Sequence, residues 1–463
     1  MKRSAANLLC ILALLALAHV PSLRAQAVGT ITGIVTDPSG AVIPGARITA
    51  TRTETGVSQS TVTTSAGTYT IPNLVVGSYN VSAEAQGFAN AAANGITLDV
   101  AQQRQVDFKL AVSGVSAKVE VTAAPPLLNT TEGSLAGLVT GNQVQSLPLN
   151  GRSIANLVML QPGMAQDSGE MGWFAPEWVG NGNRAETAVA LLDGSDSSDR
   201  EMGTVQFWDF NLDAIAEFKV QQNNYSAEYG QGGGTITQIV SKTGTNQFHG
   251  SAFEYVRNND FDTRNFFGST VPPLQRNEFG VTFGGPIKRD KTFFFGEYAG
   301  FRQLSGEPTF MSVPTAAERQ GMVTVADPVI PNFQDQLQVP LNSAAQTVLG
   351  KYPLPNEPNG PLGANTYNVL FKQPTNYNQF SVRLDQHISD KDSFFARASY
   401  INHNAYETDP VAAVENPSYS QTNFNNPRNY SMSETHIISP TLMNVFSFTL
   451  NRQIEGVQPP TQA

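Results

Sequence analysis

Beyond Phe248 the chain repeats one pattern that few folds tolerate: short runs of alternating apolar and polar residues, joined by connections that are in turn very short and very long. Phe279, Val281 and Phe283 interleave with Glu278, Gly280, Thr282 and Gly284, and Phe380, Val382 and Leu384 interleave with Ser381, Arg383, Asp385 and His387. Phe394, Ala396, Ala398 and Tyr400 repeat the pattern, as do Phe446, Phe448 and Leu450 opposite Val445, Ser447, Thr449 and Asn451. A period of two marks strands with one apolar face, and a soluble sandwich alternates in the same way. The connections separate the two cases. Gly285 to Lys291, Ile388 to Asp392 and Ile438 to Thr441 are short, whereas Asn258 to Arg276, Gln303 to Asn378 and Asn402 to Arg428 are long. Short turns at one end and long loops at the other are the asymmetry of a membrane-spanning β-barrel. A structureless stretch like that from Gln303 to Asn378 counts against an ordinary compact domain and is expected of an external loop. No stretch after the leader reaches 18 continuous apolar residues, so a membrane crossing by this chain is made with strands.

The leader is residues 1–27. Lys2 and Arg3 precede an apolar run from Leu8 to Val20, and Ala25-Gln26-Ala27 offers a small-residue cleavage site, the arrangement of a secretion signal. Cys10, the single cysteine, lies inside it, so the exported chain is expected to have no disulfide, thiol nucleophile or cysteine metal site. The net charge is −10, and three of the basic residues (Lys2, Arg3, Arg24) belong to the leader. Such an acidic chain makes a poor general nucleic-acid binder, which needs Lys and Arg on phosphates. Charged residues are only 14% of the total, while 26 Phe and 13 Tyr are available to fill strand faces.

Residues 28–113 read as a small antiparallel β-sandwich. Thr30 to Thr36 is a β-rich run stopped by Asp37-Pro38-Ser39-Gly40, and Ala46, Ile48 and Ala50 alternate with Arg47, Thr49 and Thr51. Turn signals recur at Glu54-Thr55-Gly56, Ser65-Ala66-Gly67, Val76-Gly77 and Gln86-Gly87. The set Gly33-x-Val35-x-Asp37-Pro38-x-Gly40, Gly45-Ala46, Gly67-x-Tyr69 and Pro72-x-Leu74-x2-Gly77-x-Tyr79-x-Val81 resembles the carboxypeptidase-regulatory-like domain, which implies a carbohydrate-binding-like fold. The resemblance implies neither peptidase activity nor proven sugar binding.

In residues 114–126, Val119-Glu120-Val121-Thr122-Ala123 is a β-prone stretch followed by Ala124-Pro125-Pro126. Such a segment can add as a strand to another protein's sheet, and it is similar to the TonB box, the strand gripped by the energy-coupling protein TonB in outer-membrane receptors. The alternative is a plain linker strand. Residues 127–245 follow with Asn150-Gly151-Arg152, a short helix capped by Ser153, then Leu191-Leu192-Asp193-Gly194 and Glu228-Tyr229-Gly230 ahead of Gly232-Gly233-Gly234. This order resembles the α+β plug domain of TonB-dependent receptors, most closely the Oar-like subfamily. Lys288-Arg289-Asp290-Lys291-Thr292-Phe293-Phe294-Phe295 resembles the start of the Oar-like barrel, placed at residues 246–463.

Other chemistries find little support. Gly230 to Gly234 lacks the glycine that G-x-G-x-x-G needs at Thr235 and precedes a strand, so tight backbone packing is expected there. Asp193 to Asp199 is rich in oxygen ligands, but Thr204 stands where an EF-hand needs Glu, and the run reads as a solvated loop. His249, His387, His403 and His436 lie far apart in sequence, and no G-x-S-x-G is present. No catalytic, cofactor or metal site is expected.

The expectation is a mainly β outer-membrane protein: a sandwich on the periplasmic side, a plug, and the first strands, about seven, of an antiparallel barrel in contact with lipid. The resemblance implies TonB-dependent uptake of an extracellular ligand, with carbohydrate as one candidate class. A non-transporting adhesin or structural surface protein, and a secreted carbohydrate-binding protein, are the alternatives. Seven strands are too few to enclose a plug, since plugged transporters use about 22, so a longer reading frame is expected.

Overall fold

The computed structural model describes residues 28–112, 119–121, 133–147, 149, 151–166, 178–184, 187–198, 210–226, 229, 233–264, 271–326, 334–407, 421–440 and 442–458. Strands dominate, and among the described residues no helix is long and apolar enough to cross a membrane.

The first unit has β1 (Val28–Thr36), β2 (Arg47–Arg52), β3 (Ser58–Val62), β4 (Thr68–Val75), β5 (Gly77–Glu84), β6 (Ala91–Leu98), β7 (Gln103–Gln105) and β8 (Phe108–Lys109). One sheet runs β4-β1-β7, with β8 also beside β1; the other runs β3-β2-β5-β6 and is extended by β9 (Val119–Val121). Alternate residues point into the space between them, where Ile31, Val35, Ile48, Ile71, Val81, Ile96 and Phe108 form a dry core. The expected antiparallel pattern holds for most pairs, but β1–β7, β1–β8 and β6–β9 are parallel. After β6 the chain crosses to the other sheet, so it meets β1 running the same way.

Two turns carry local chemistry. The Asp37 carboxylate accepts hydrogen bonds from the Ser39 amide (2.8 Å), the Ser39 hydroxyl (2.6 Å) and the Ala41 amide (2.9 Å), closing the turn at Gly40, whose φ is 90°. Gly33 is where the crossover lies against β1: a Cβ there would stand 1.9 Å from the Val106 carbonyl oxygen.

The middle unit has β10 (Leu135–Thr140), α1 (Gly141–Ser146), α2 (Ile154–Val158), β11 (Met164–Gln166), β12 (Trp178–Gly180), β13 (Val189–Leu192), β14 (Ser195–Asp196), β15 (Ile215–Asn223) and β16 (Ile236–Ser241). Its sheet order is β10-β15-β16-β13-β14. Ser153 caps α2 through the Ala155 amide, and α2 buries Ile154, Leu157 and Val158 against Phe210, Ile215 and Phe218.

The large sheet has β17 (His249–Asn258), β18 (Leu274–Lys288), β19 (Thr292–Ser312), β22 (Thr366–Ser389), β23 (Asp392–Glu407), β24 (Gln421–Asn425), β25 (Arg428–Ser439), β26 (Leu442–Arg452) and β27 (Glu455–Gln458), with a separate hairpin β20 (Met322–Ala326) and β21 (Gln334–Gln338) and helix α3 (Ser343–Leu349) between β19 and β22. Each strand lies antiparallel to its hairpin neighbour. β24 and β25 both pair with β23 and are two stretches of one run, interrupted at Asn426-Pro427, where proline offers no amide to the ladder. β26 and β27 are likewise interrupted at Gln453-Ile454, so the described strands of this sheet form seven runs.

The outer face of this sheet is apolar. Val281, Phe283, Phe380, Val382, Leu384, Phe446, Phe448 and Leu450 are 37–58% exposed, whereas Thr282, Glu297, Ser381, Arg383, Arg397 and Ser399 on the inner face are buried. An apolar outside and a polar inside is the arrangement of a lipid-facing wall. Phe293 and Phe295 turn inward instead, and Phe295 and Ile401 join the core of the middle unit. The long connection corrects one expectation. The stretch from Gln303 to Asn378 is not structureless, because β19 and β22 stay paired from Gln303↔Thr375 out to Ser312↔Thr366. The main-chain ladder continues there, and Met311 and Val313 pack with Tyr352, Tyr367 and Val369 along it.

Substituting Gly33→Ala is expected to destabilise the first unit by about 1–3 kcal/mol, because the intruding methyl meets backbone that cannot swing away. Urea unfolding of residues 28–112 with and without the change measures it.

Candidate functional site

The contacts that hold the three units together are mainly polar, and they gather the charged residues that sequence reading singled out. Asp193 and Gly194 form the two-residue turn between β13 and β14, with φ of 50° and 77°. A tight hairpin requires positive φ at both positions, which Asp-Gly supplies. The turn pushes the Asp193 carboxylate against β22 and β23. There it meets Arg383 Nη1 (2.9 Å) and Arg397 Nε (2.9 Å), and it accepts from the Ser241 amide (2.9 Å) and hydroxyl (2.7 Å).

Arg383 and Arg397 are direct cross-strand partners, two buried like charges side by side. Asp193 lies between them, Asp385 engages Arg383 at 2.9–3.1 Å, and Arg397 donates to the Leu192 carbonyl (3.1 Å) and Asn429 (2.6 Å). Burial pushes the Asp193 carboxyl up, but the two guanidiniums and Ser241 outweigh it and hold it below the usual carboxylate range. Nearby, Asn429 donates to Ser195 (3.0 Å) and Asn451 to the Asp196 carbonyl. The run from Asp193 onward is therefore not a solvated loop: Ser195, Asp196 and Ser197 are buried, and the Asp193 oxygens are taken by arginine.

Arg152 makes the second joint. It lies at φ 46° after Gly151 and bridges Asp213 of the middle unit (3.1 Å) to Glu278 of β18 (3.2 Å), with its guanidinium carbon 4.4 Å from the Tyr255 ring centroid and 4.9 Å from that of Phe253. Asn211 and Gln379 both donate to buried Glu297, at 3.1 and 2.9 Å.

The first unit is attached at the short-turn end of the large sheet. Asn246 donates its amide to the Glu54 carbonyl (3.0 Å) and its side chain to the Thr55 carbonyl (2.7 Å) and Asp290 (2.7 Å). Asn73 donates to Thr435, and Arg52 to Thr243 (3.2 Å). Val76, Val100 and Val240 form a small apolar contact beneath the middle sheet. Beside it the Val100 amide donates to Glu217, and Lys219 donates to the Ala101 carbonyl (3.1 Å). Burial, reinforced by the charge of Asp99, pushes Glu217 up to about 7, against the opposing Val100 hydrogen bond and Lys219.

Of the other sequence-selected residues, Tyr229 packs with Val189, Leu191 and Ile236 and receives a hydrogen bond from Gln238. A Cβ on Gly234 would meet Thr187 at 2.5 Å, as expected for close packing, whereas Gly233 has open space around it. Val119, Glu120 and Val121 form β9, paired with Ala91, Ala92 and Ala93 of β6. Ala25, Ala27, Thr122, Ala123, Asn150, Glu228 and Gly230 lie outside the described residues. Sequence spacing missed one group. Strand pairing brings Asp392, Glu434 and His436 within 4.8 Å of one another, with His436 Nδ1 2.5 Å from Asp392. Only cross-strand register could have shown it.

Asp193→Asn should cost about 3–5 kcal/mol, since two buried guanidiniums lose their shared counter-charge; faster amide exchange in β13, β14 and β16 would register it. The pH responses of the two attachments have opposite signs. The Asp193 contribution is present above the ordinary carboxylate range and is lost only as pH falls below it. The Glu217 carboxyl, raised on docking, holds a proton that the separated form sheds. That contact is therefore strongest below about pH 4.5 and weakens as pH rises to about 7. Exchange of the Asp99–Ala101 amides, corrected for intrinsic rate, should quicken between pH 5 and 8, and Glu217→Gln should remove the change.

Two family models match parts of the chain. Residues 30–111 match the carboxypeptidase regulatory-like domain family, and residues 240–463 the outer membrane beta barrel domain family. The TonB-dependent transporter Oar of Myxococcus xanthus is 25% identical over 288 residues, which cover 58% of this chain and 26% of that protein. Among solved structures, the outer membrane transporter YddB from Escherichia coli aligns at 11% identity and a TM-score of 0.44, over 65% of this chain and 37% of its own. The siderophore receptor PirA from Acinetobacter baumannii aligns at 13% identity and a TM-score of 0.39, over 70% and 44%. The chain thus spans about a quarter of the curated relative's length and under half of either solved chain. This is an outer-membrane protein, a homologue of the TonB-dependent transporter Oar that joins a carboxypeptidase regulatory-like domain to an outer membrane beta barrel domain.

Proposed function

We propose that the protein acts in TonB-dependent uptake of an extracellular solute, with the middle unit as the plug against which the large sheet packs its inner face. The observation that carries this reading is the character of the inner seam. The sheet meets the middle unit through Asp193–Arg383–Arg397, Arg152–Glu278 and Glu297–Asn211, with Phe295 and Ile401 as its apolar share. Polar pairs regain hydration when they part, so a plug held in this way can shift without exposing a large apolar surface.

In this reading the short turns and the first unit face the periplasm, and the long connections face outward. Val119 to Ala123 serves as the TonB box, and a pull on it reaches the plug through residues 122–134. The reaction is movement, with no covalent chemistry, and the energy arrives through the partner. The solute binds on the long-connection side, and carbohydrate is the first class to test because the first unit resembles a carbohydrate-binding-like fold.

Glu120→Pro should abolish cross-linking to TonB and energised uptake, since proline removes a main-chain donor from the added strand. The protein should still reach the outer membrane in normal amount. Unchanged cross-linking would place the coupling strand elsewhere.

A further inference from the structure

The strand assigned to coupling is already part of a sheet. Val119, Glu120 and Val121 pair in parallel with Ala91, Ala92 and Ala93, making β9 the outermost strand beyond β6. Without β9, β6 would present an edge of unpaired amides and carbonyls, the feature by which one chain captures a strand of another. The two valines of β9 favour the extended form.

The position of this edge is fixed. The first unit is fastened beneath the middle unit by the Val76–Val100–Val240 contact and the Val100–Glu217 hydrogen bond, and to the sheet's short-turn end through Asn246. Among the described residues the hold on β9 is three pairs, few enough to exchange for another pairing.

We propose that the free edge of β6 is a docking site for the coupling strand, so that the first unit and the periplasmic coupling protein compete for the same main-chain groups of Val119–Val121. The carboxypeptidase regulatory-like domain then acts as a holder that keeps the strand out of circulation until it is exchanged. This rests on the reading of Val119–Val121 as the TonB box.

The test uses the whole protein in its outer membrane. Cys10 is the only cysteine in these 463 residues and lies in the leader, so within them an added pair meets no competing thiol. Ala92→Cys with Glu120→Cys joins the paired positions, and Ser82→Cys with Ala92→Cys, paired across β5 and β6, is the control. The 92–120 disulfide should form on oxidation, reduce TonB co-purification at least tenfold, and release it again on reduction. Formation of the control disulfide without the 92–120 disulfide would overturn the docking. A 92–120 disulfide that leaves TonB capture unchanged would overturn the competition. Failure of the unmodified protein and the Glu120→Cys single variant to capture TonB would instead strike the coupling assignment and take the competition with it.

Discussion

The Asp193 carboxylate is the contact on which the arrangement of middle unit and wall depends. Two arginines directly opposite each other on adjacent strands would repel in a buried setting, and among the described residues the wall sets Asp385 against them. The middle unit brings the missing charge at the tip of a turn whose geometry only a residue tolerant of positive φ can adopt. Removing the middle unit would therefore leave this patch of wall with an excess of buried positive charge. Each partner makes the other's burial tolerable, which is why charged residues occupy a place where an apolar core would ordinarily be expected.

The first unit is attached by different physics. It has its own closed core, with Ile31, Ile48, Ile71 and Phe108 fully enclosed, so its stability owes little to its neighbours. What joins it to the rest is a small valine contact, hydrogen bonds made largely by the side chains of Asn246, Asn73, Arg52 and Lys219, and a carboxyl that prefers its proton. One attachment keeps its strength into moderate acid while the other is strongest there, so pH moves the two in opposite directions.

Much of this could be read from the residues alone because the underlying rules are local. Period-two rows gave the strands and their faces, Asp37-Pro38-Ser39-Gly40 gave a turn, and Ser153 gave a helix cap. What escaped depends on which strands become neighbours. Asp193 looked solvated because nothing near it in sequence says that Arg383 and Arg397 will cover it. The Asp392–Glu434–His436 cluster exists only through register. The extension of β19 and β22 buries Met311 and Val313 against Tyr352, Tyr367 and Val369, a small cluster whose members lie about forty to sixty residues apart and become neighbours only through the pairing. The parallel seat of β9 on β6 likewise involves backbone that no side-chain pattern announces.

The lengths of β19 and β22 bear on where this protein meets its surroundings. They contain 21 and 24 residues, whereas a bilayer's apolar layer takes about 9–11 tilted residues. Past Ser305 and Thr375, where β18 and β23 stop flanking them, seven pairs from Gly306↔Lys372 to Ser312↔Thr366 continue as a two-stranded stalk, about 24 Å long at about 3.4 Å per residue. The hairpin of β20 and β21 and helix α3 are carried between its ends. With the long connections facing outward, as proposed, anything arriving would meet this mast before it met the wall, so reach as well as chemistry belongs to the description of that surface.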